Sequence, residues 1–402
     1  MLRQTRRIAV ATTVALWTSM LIPAHAVEKI DAAKLMAFSR VDKRVENFRN
    51  MDQVFPVETI RRSEEPYQFK EAIRELDFSF DFGDESQTLD EFLDKTVTTS
   101  LLVLKDDAIV YEQYFHDYDR ESRATSMSVA KSFTSALIGI ALEEGHIESI
   151  DDSVGRYLPE LKNSGYADVP IEHVLQMSSG IDFSEAYDKV SDATLMMYKL
   201  AAGGSVVEYA AALESREPSG KVFNYASIDT TILGMILERT TGKNPAQYME
   251  EKIWQKIGME SDATWGTDNH GNLLMFAYLN VTTRDYAKFG RLYLEDGVWN
   301  GEQIVPAEWV QQSRTVKRDF LKLKGFYGPE WDVGYKNQWW IPEGEEGEFT
   351  GIGIWGQYVY VNPARNLVIV KTSVDPLFDD RDLETIAAFR AIGQHLDSDN
   401  AE

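Results

Sequence analysis

The chain has 402 residues, with 41 Lys and Arg against 65 Asp and Glu, no cysteine, and a formal net charge of −24. Its 44% apolar content is typical of a folded protein with a core large enough to need no disulfides. The missing cysteine excludes a disulfide scaffold, a thiol nucleophile, cysteine-ligated zinc and a lipoprotein anchor, and the acidic charge disfavours nucleic acid and anionic membranes as partners.

Residues 1–26 have the three-part layout of a secretory signal peptide. A basic start that includes Arg6 and Arg7 precedes the apolar run 8–22, and Pro23-Ala24-His25-Ala26 ends in a small-x-small cleavage site. We predict cleavage after Ala26 and an exported protein, periplasmic or secreted, without a stable membrane anchor. The alternative is an uncleaved signal anchor, but the run is short for a span of about 20 residues. Either the Sec or the Tat route fits the Arg pair.

The residue pattern between 27 and 145 predicts an N-terminal extension, a β-hairpin and a helix, in that order. Residues 27–90 are polar and irregular, and we interpret them as an N-terminal extension ahead of a main domain at 91–396. Two apolar, β-branched runs, 96–104 and 108–115, flank a polar turn and predict a β-hairpin. From Met127 the apolar spacing becomes helical, and Gly145 ends that helix.

Helices then dominate up to about residue 315, and strands return near residue 330. The predicted helices cover 172–177, 230–239, 246–257, 283–294 and 307–313. The predicted strands cover 333–340, 354–361 and 367–372, and a helix over 383–396 closes the chain. This order predicts an α+β fold. An antiparallel sheet, built from 91–125 and 325–396 and flanked by helices, carries an inserted all-helical sub-domain at 126–324.

The sharpest chemical signal is Ser128-Val129-Ala130-Lys131 at the start of the helix. Residues at i and i+3 share one helix face, so the Lys131 amine lies near the Ser128 hydroxyl. Free N–H groups at a helix start can stabilise an oxyanion, and a lysine among apolar neighbours loses its proton easily and can act as a base. The pair alone also fits a helix-capping serine with a solvated lysine.

Two further segments are candidates for the same site as Ser128 and Lys131. Tyr225-Ala226-Ser227 precedes the helix at 230–239 and could bring a phenol to Lys131, although a capped helix start explains it equally well. The stretch 351–357, Gly-Ile-Gly-Ile-Trp-Gly-Gln, places glycines inside a strand. Such glycines indicate close approach of a substrate to the backbone, or a strand bulge.

In this order, the three motifs resemble those of the serine β-lactamase / penicillin-binding-protein superfamily, whose signatures include Ser-x-x-Lys. The resemblance covers residues 45–396 and looks closest to the 6-aminohexanoate-dimer hydrolase-like branch, which has Tyr-x-Ser and a Gly-Ile-x-Gly-Gln strand. It implies the β-lactamase/transpeptidase-like fold and an amidase or esterase that forms an acyl-enzyme on a small amide or ester substrate.

Carried over residue by residue, the resemblance implies the following roles. Ser128 is the nucleophile, Lys131 its base, and Tyr225 the proton relay to the leaving group. Ser227 supports the Lys–Tyr arrangement, and the backbone N–H groups of Ser128 and Ile354 form the oxyanion hole. Trp340 and Tyr187 are implied as substrate-pocket residues.

The departures from the family pattern bear on the substrate. β-Lactamases and D-Ala-D-Ala peptidases hold the substrate carboxylate with a Lys-Thr-Gly strand, whereas the matching strand here, Gly351 to Gly356, has no cation. Lys371-Thr372-Ser373 comes one strand later and is interpreted as a strand end. The missing cation argues against efficient turnover of β-lactams or D-Ala-D-Ala peptides. A penicillin-reactive D,D-carboxypeptidase or β-lactamase stays an alternative, as does a non-catalytic binding or regulatory module. The sequence shows no ligand-spaced histidines and no nucleotide fingerprint, so we expect no metal and no cofactor.

Overall fold

The computed structural model describes residues 27–187, 190–326 and 332–399. The predicted signal peptide, at 1–26, lies outside these described residues. In the described part of the chain, no helix combines the length and the apolar character that crossing a bilayer requires.

The strands of the described residues form one large sheet and three small ones. In chain order the strands are β1 Val57–Ile60, β2 Lys70–Glu71, β3 Ser79–Phe82, β4 Glu85–Thr88, β5 Thr98–Lys105, β6 Ala108–Tyr114, β7 Arg123–Thr125, β8 Ala263–Gly266, β9 Leu279–Thr282, β10 Val298–Trp299, β11 Glu302–Gln303, β12 Lys322–Leu323, β13 Val333–Lys336, β14 Trp339–Pro342, β15 Phe349–Gly353, β16 Gln357–Asn362 and β17 Leu367–Ser373.

The α-helices of the same residues surround the large sheet and fill the middle of the chain. They are α1 Ala32–Met36, α2 Val41–Arg49, α3 Leu89–Lys95, α4 Ala130–Glu143, α5 Val154–Tyr157, α6 Ile171–Leu175, α7 Asp192–Ala201, α8 Val206–Ala211, α9 Ser227–Thr241, α10 Pro245–Met249, α11 Thr283–Leu294, α12 Ala307–Ser313 and α13 Phe378–Asp399. Short 3-10 turns at Ala37–Ser39, Met51–Gln53, Met127–Val129, Pro159–Leu161, Asp319–Leu321 and Pro363–Arg365, and a π-helical turn at Glu250–Trp254, complete the helical part.

The large sheet has the order β12-β13-β14-β15-β16-β17-β5-β6-β2. Its pairs are antiparallel, except that β2 runs parallel to β6. The sheet therefore joins strands from both ends of the chain, as predicted, and the α+β fold class is confirmed.

Side chains of the central strands alternate between two apolar layers because successive residues of a strand point to opposite faces. Leu101 and Ile369 pack with Phe389 of α13 on one face. Leu102 and Val368 belong to the core on the other face. There α11 approaches so closely that a Cβ added to Gly290 would lie 2.5 Å from Val368 Cγ1.

The part predicted as all-helical contains strands as well. Helices are the main regular structure of residues 126–324, but β8 to β12 lie among them as well, and β8 and β9 form part of a four-stranded sheet in the order β1-β8-β9-β7. Their partners β1 and β7 come from outside this part of the chain, so no local pattern marked the pairing. The extension at 27–90 supplies β1, and its Phe48, Val54 and Phe55 are buried in the same core as α4 and α9.

Two predicted strands have different bounds in the structure. The strand predicted at 333–340 is a hairpin of β13 and β14, because Asn337 and Gln338 both adopt positive φ and turn the chain. The strand predicted at 354–361 begins only at Gln357. The residues before it form the turn between β15 and β16, in which Trp355 has φ +68°.

Candidate active site

Ser128 lies at the point where the chain enters the central helix. The 3-10 turn Met127–Val129 leads directly into α4, and Met127 before the serine has a left-handed φ of +42°. A non-glycine residue in that region is strained, and such strain is concentrated at functional sites. The flanking Met127 and Val129 are buried, whereas Ser128 is partly open to a cavity.

Lys131, the second residue of α4 and one helical turn after Ser128, contacts the Ser128 hydroxyl. Its Nζ lies 2.8 Å from Ser128 Oγ and donates a second hydrogen bond of 3.0 Å to the carbonyl of Phe276. The lysine is 1% exposed. Burial lowers the pKa of Lys131 to about 8, against a smaller opposing effect of the Glu185 carboxylate. At pH 7 most of this amine is still protonated, but the neutral fraction that can accept a proton is far larger than for an ordinary lysine.

Tyr225 and Trp340 form the aromatic wall beside this pair. Lys131 Nζ lies 5.0 Å from the centre of the Tyr225 ring, and the Tyr225 and Trp340 rings stack with centroids 5.6 Å apart. Burial raises the pKa of Tyr225 strongly, the Glu185 carboxylate raises it further, and a hydrogen bond with Ser128 lowers it in part. The phenol consequently keeps its proton at neutral pH and is available as a proton donor.

Glu185 is a site residue that the sequence did not reveal. The Ser227 N–H and Oγ donate hydrogen bonds of 2.6 and 2.8 Å to its two carboxylate oxygens, and the Tyr187 hydroxyl donates one of 2.7 Å. Ser227 therefore supports the site through Glu185, whose carboxylate influences the pKa of both Lys131 and Tyr225. The loop that carries Glu185 has neither periodicity nor a motif that could have indicated this role.

The glycine-containing strand β15 lies against the start of α4. A Cβ added to Gly353 would be 2.5 Å from the Ser126 carbonyl oxygen and 3.0 Å from the Ser128 nitrogen. Only glycine allows this approach. Ile354, the next residue, lines the same cavity as Ser128, and the assignment of its N–H group to the oxyanion hole stays a prediction. The Ser373 hydroxyl, at the end of β17, donates to the carbonyls of Trp355 and Gly356 at 2.6 and 2.9 Å.

The predicted residues converge on one cavity of about 280 Å³. Its lining comprises Ser128, Glu185, Ala186, Tyr187, Tyr225, Phe326, Trp340, Ile352, Ile354, Phe378, Asp379 and Asp382. Lys131 and Ser227 reach it through Ser128 and Glu185. By contrast, the buried Lys371 lies near the rings of Phe92 and Tyr358 and is not among these lining residues, in keeping with the interpretation of that segment as a strand end.

Known proteins share both the sequence pattern and the fold. The family model described as Beta-lactamase matches residues 86–391. The 6-aminohexanoate-dimer hydrolase of Paenarthrobacter ureafaciens is 31% identical over 304 residues, which cover 73% of this chain and 76% of that protein.

Among solved structures, a Bacillus anthracis protein assigned to the 6-aminohexanoate-dimer hydrolases superposes with a TM-score of 0.82 at 26% identity. The match covers 93% of this chain and 97% of that one. The octameric penicillin-binding protein homologue from Pyrococcus abyssi gives a TM-score of 0.59 at 21% identity, covering 77% and 76% of the two chains, and supports the fold alone.

Proposed function

Because this chain belongs to the β-lactamase family, whose members include an amidase-type serine hydrolase similar to it, we propose that it cleaves a small amide or ester through an acyl-enzyme on Ser128. The observation that carries the proposal is the 2.8 Å contact between Ser128 Oγ and the buried amine of Lys131. A serine becomes a strong nucleophile only beside a base that can take its proton, and Lys131 has the pKa and the position for that task.

The proposed acylation begins with transfer of the Ser128 proton to Lys131 Nζ as Oγ attacks the carbonyl carbon. The oxyanion that forms accepts hydrogen bonds from the backbone N–H groups of Ser128 and Ile354. Tyr225 then donates its phenolic proton to the leaving nitrogen or oxygen, the bond to that atom breaks, and the Lys131 ammonium returns a proton to Tyr225. The products of this half-reaction are the acyl-enzyme and the free amine or alcohol.

Deacylation reuses the same groups with water as the nucleophile. Lys131 accepts the water proton as the water oxygen bonds to the acyl carbon. The acyl–Oγ bond then breaks, Tyr225 donates its phenolic proton to Ser128 Oγ, the Lys131 ammonium returns a proton to Tyr225, and the carboxylic acid is released. Both steps need a neutral Lys131 and a protonated Tyr225 at the outset, and the opposite directions of their pKa shifts provide that combination.

The test is intact-mass analysis after treatment with a fluorophosphonate, which labels an activated serine and needs no carboxylate clamp. We expect a single adduct on the wild type and none on Ser128→Ala. Ser132→Ala is the matched control. Ser132 lies on the same helix and its hydroxyl donates to the Gln338 carbonyl at 2.8 Å, so this variant should still be labelled. A folded wild type without an adduct would contradict the proposal.

We also propose that the protein is exported and that its leader is cleaved after Ala26. The basic start, the apolar run and the small-x-small site support this proposal. Expression of the full chain in a Gram-negative host, followed by fractionation and N-terminal sequencing, tests it. A periplasmic protein that begins at Val27 is the expected result, and an intact Met1 start in the cytoplasm would contradict it.

A further inference from the structure

A second cavity, of about 400 Å³, meets the first one at Ser128. The two share Ser128, Glu185, Tyr187 and Ile354 as lining residues. The second cavity extends toward the N-terminal segment, and its volume lies in the usual range of about 300–1,000 Å³ for ligand pockets.

Apolar side chains dominate the lining of this second cavity. The segment 35–38 closes one part of it and helix α7 another, with Met196, Met197 and Phe276 among the contributors. Glu185 is the one charged side chain among the described lining residues, and its oxygens already accept hydrogen bonds from Ser227 and Tyr187. The cavity is therefore suited to an uncharged group. Methionines adapt to chains of different shape, so a flexible chain can be accommodated.

The position of the proton donor decides which half of the substrate enters each cavity. Tyr225 lines the first cavity but is not among the lining residues of the second. A general acid must lie within hydrogen-bond distance of the atom that it protonates, so the leaving group occupies the first cavity. The carbonyl oxygen faces Ile354, and the remaining direction at the carbonyl carbon is that of the acyl chain.

From these placements, and on the basis of the acyl-enzyme mechanism above, we propose that the second cavity is the acyl pocket and that it selects an extended apolar acyl chain without charge. The solvent-exposed opening of the second cavity supports this assignment. Met36 and Tyr198 line the cavity and are 43% and 49% exposed, so an apolar rim is already open to solvent. A chain that lies along this rim covers apolar surface that water otherwise contacts.

The experiment compares two ester series on the purified mature protein. The first is p-nitrophenyl acetate, butyrate, hexanoate and octanoate, in which only the acyl chain grows. The second is acetate esters of ethanol, butanol, hexanol and octanol, in which only the leaving group grows. We expect kcat/KM to rise by roughly fourfold for each methylene added to the acyl chain until the cavity is filled, the effect of burying a methylene. The alcohol series should show no such trend.

A variant that narrows the second cavity and a matched control test whether the dependence of kcat/KM on acyl chain length arises there. Ala193 lines the cavity from α7, and Ala193→Trp should lower the octanoate-to-acetate ratio of kcat/KM by about tenfold or more. Leu195, on the same helix, is 50% exposed and is not a lining residue. Leu195→Trp should leave the ratio at the wild-type value, and fluorophosphonate labelling reports whether each variant is folded and active.

The possible outcomes separate this proposal from the proposed function. A flat acyl series with a labelled Ser128 would overturn the acyl pocket and leave the hydrolase standing. A chain-length trend in the alcohol series that Ala193→Trp abolishes would also overturn it, since the cavity would then hold the leaving group. An unlabelled wild type without ester hydrolysis would refute the hydrolase mechanism itself.

Discussion

The guanidinium carbon of Arg44 lies 3.6 Å from the centre of the Trp355 ring. Arg44 belongs to α2, near the start of the described chain, and is 1% exposed. Its Nε and Nη1 also donate hydrogen bonds of 2.7 Å to the carbonyls of Phe38 and Val374. This one side chain thus connects the N-terminal segment to the turn that carries Ile354 and to the end of β17.

Replacing Arg44 should weaken both stability and catalysis. Arg44→Ala removes the stacking on Trp355 and leaves the carbonyls of Phe38 and Val374 without this donor. We expect a loss of about 3 kcal/mol in the free energy of unfolding. Trp355 directly follows Ile354, whose N–H group is assigned to the oxyanion hole. Loss of the Arg44 contact should therefore lower kcat for a neutral ester by a larger factor than it changes KM. Urea unfolding and steady-state kinetics measure the two effects.

Arg40→Ala is the control for that change. Arg40 precedes the same helix, but its side chain is 65% exposed and pairs only with Asp42 among the described residues. Its removal should change the free energy of unfolding by less than about 0.5 kcal/mol. Equal effects of the two variants would show that the Arg44 contacts contribute nothing specific.

The pH dependence of the reaction should report the Lys131 amine. Since the base must be neutral and its pKa is about 8, kcat/KM for a neutral ester should rise with pH and level off above about pH 8. Lys131→Arg keeps a permanent charge in place of the base and should lower kcat/KM by about 10³-fold. Lys199→Arg, at an exposed position of α7, should preserve the profile. A rate that does not change between pH 6 and 9 would exclude Lys131 as the base.

The parts of the site that could be predicted from sequence are local in the chain. Ser128 and Lys131 are one helical turn apart, so their contact follows from helix geometry alone. Tyr225 and Ile354 could be placed only by the family resemblance, because no periodicity connects segments so far apart. Likewise, apolar β-branched runs at both ends of the chain indicate the strands of one antiparallel sheet, because each run is a local pattern.

The residues that escaped prediction act over long sequence separations. The Arg44–Val374 hydrogen bond spans 330 positions, and the Glu185–Ser227 pair spans 42. Neither residue type is unusual in its local segment, and conformations such as the positive φ of Gln338 follow from packing against α4 and α6 rather than from propensity. Because these contacts are distant in sequence, the local pattern predicts one strand where the structure has a hairpin at Asn337.

Glu185 should set the pH range in which the enzyme works. Its carboxylate opposes the burial effect on Lys131 and raises the pKa of Tyr225. Glu185→Gln removes that charge, so the pKa of Lys131 should fall further and the acid limb of the kcat/KM profile should move to lower pH. The phenol of Tyr225 should titrate at lower pH for the same reason.

The neighbouring acid provides the control for this charge effect. Asp182→Asn removes a carboxylate from the same loop, at an exposed position that does not line the cavity. It should leave the acid limb of the kcat/KM profile unchanged. A Glu185→Gln profile that shifts to higher pH would contradict the expected sign, whereas lower activity without any shift would mean that Glu185 acts only by orienting Ser227.

Gly353 should tolerate no side chain. In Gly353→Ala the added Cβ would meet the Ser126 carbonyl oxygen at 2.5 Å, so β15 must move away from Ser128. One oxyanion donor is then misplaced, and we expect kcat to fall by about 10²–10³-fold with a smaller change in KM. Gly344→Ala is the control, because its Cβ meets only the ends of the Arg390 and Glu348 side chains, at 3.1 and 3.2 Å. Full activity in a folded Gly353→Ala protein would refute the oxyanion assignment to this strand.

Penicillin should acylate Ser128 poorly. The first cavity presents the carboxylates of Glu185, Asp379 and Asp382, and no lysine or arginine is among its described lining residues. The carboxylate of a β-lactam would therefore enter without a cation and against like charge, which is costly in a partly desolvated site. Under conditions in which a fluorophosphonate labels the protein completely, intact-mass analysis should detect little or no penicilloyl adduct.

Removing one of these charges should raise penicillin acylation slightly without making it efficient. Asp379→Asn lowers the local negative charge but supplies no cation, so we expect an increase of about two- to fivefold in the rate of adduct formation. Asp319→Asn changes net charge equally at a 97% exposed side chain outside the cavity lining and should have no effect. Rapid acylation of the wild type would instead favour a penicillin-reactive D,D-carboxypeptidase or β-lactamase, since it would require a carboxylate site that the described lining does not provide.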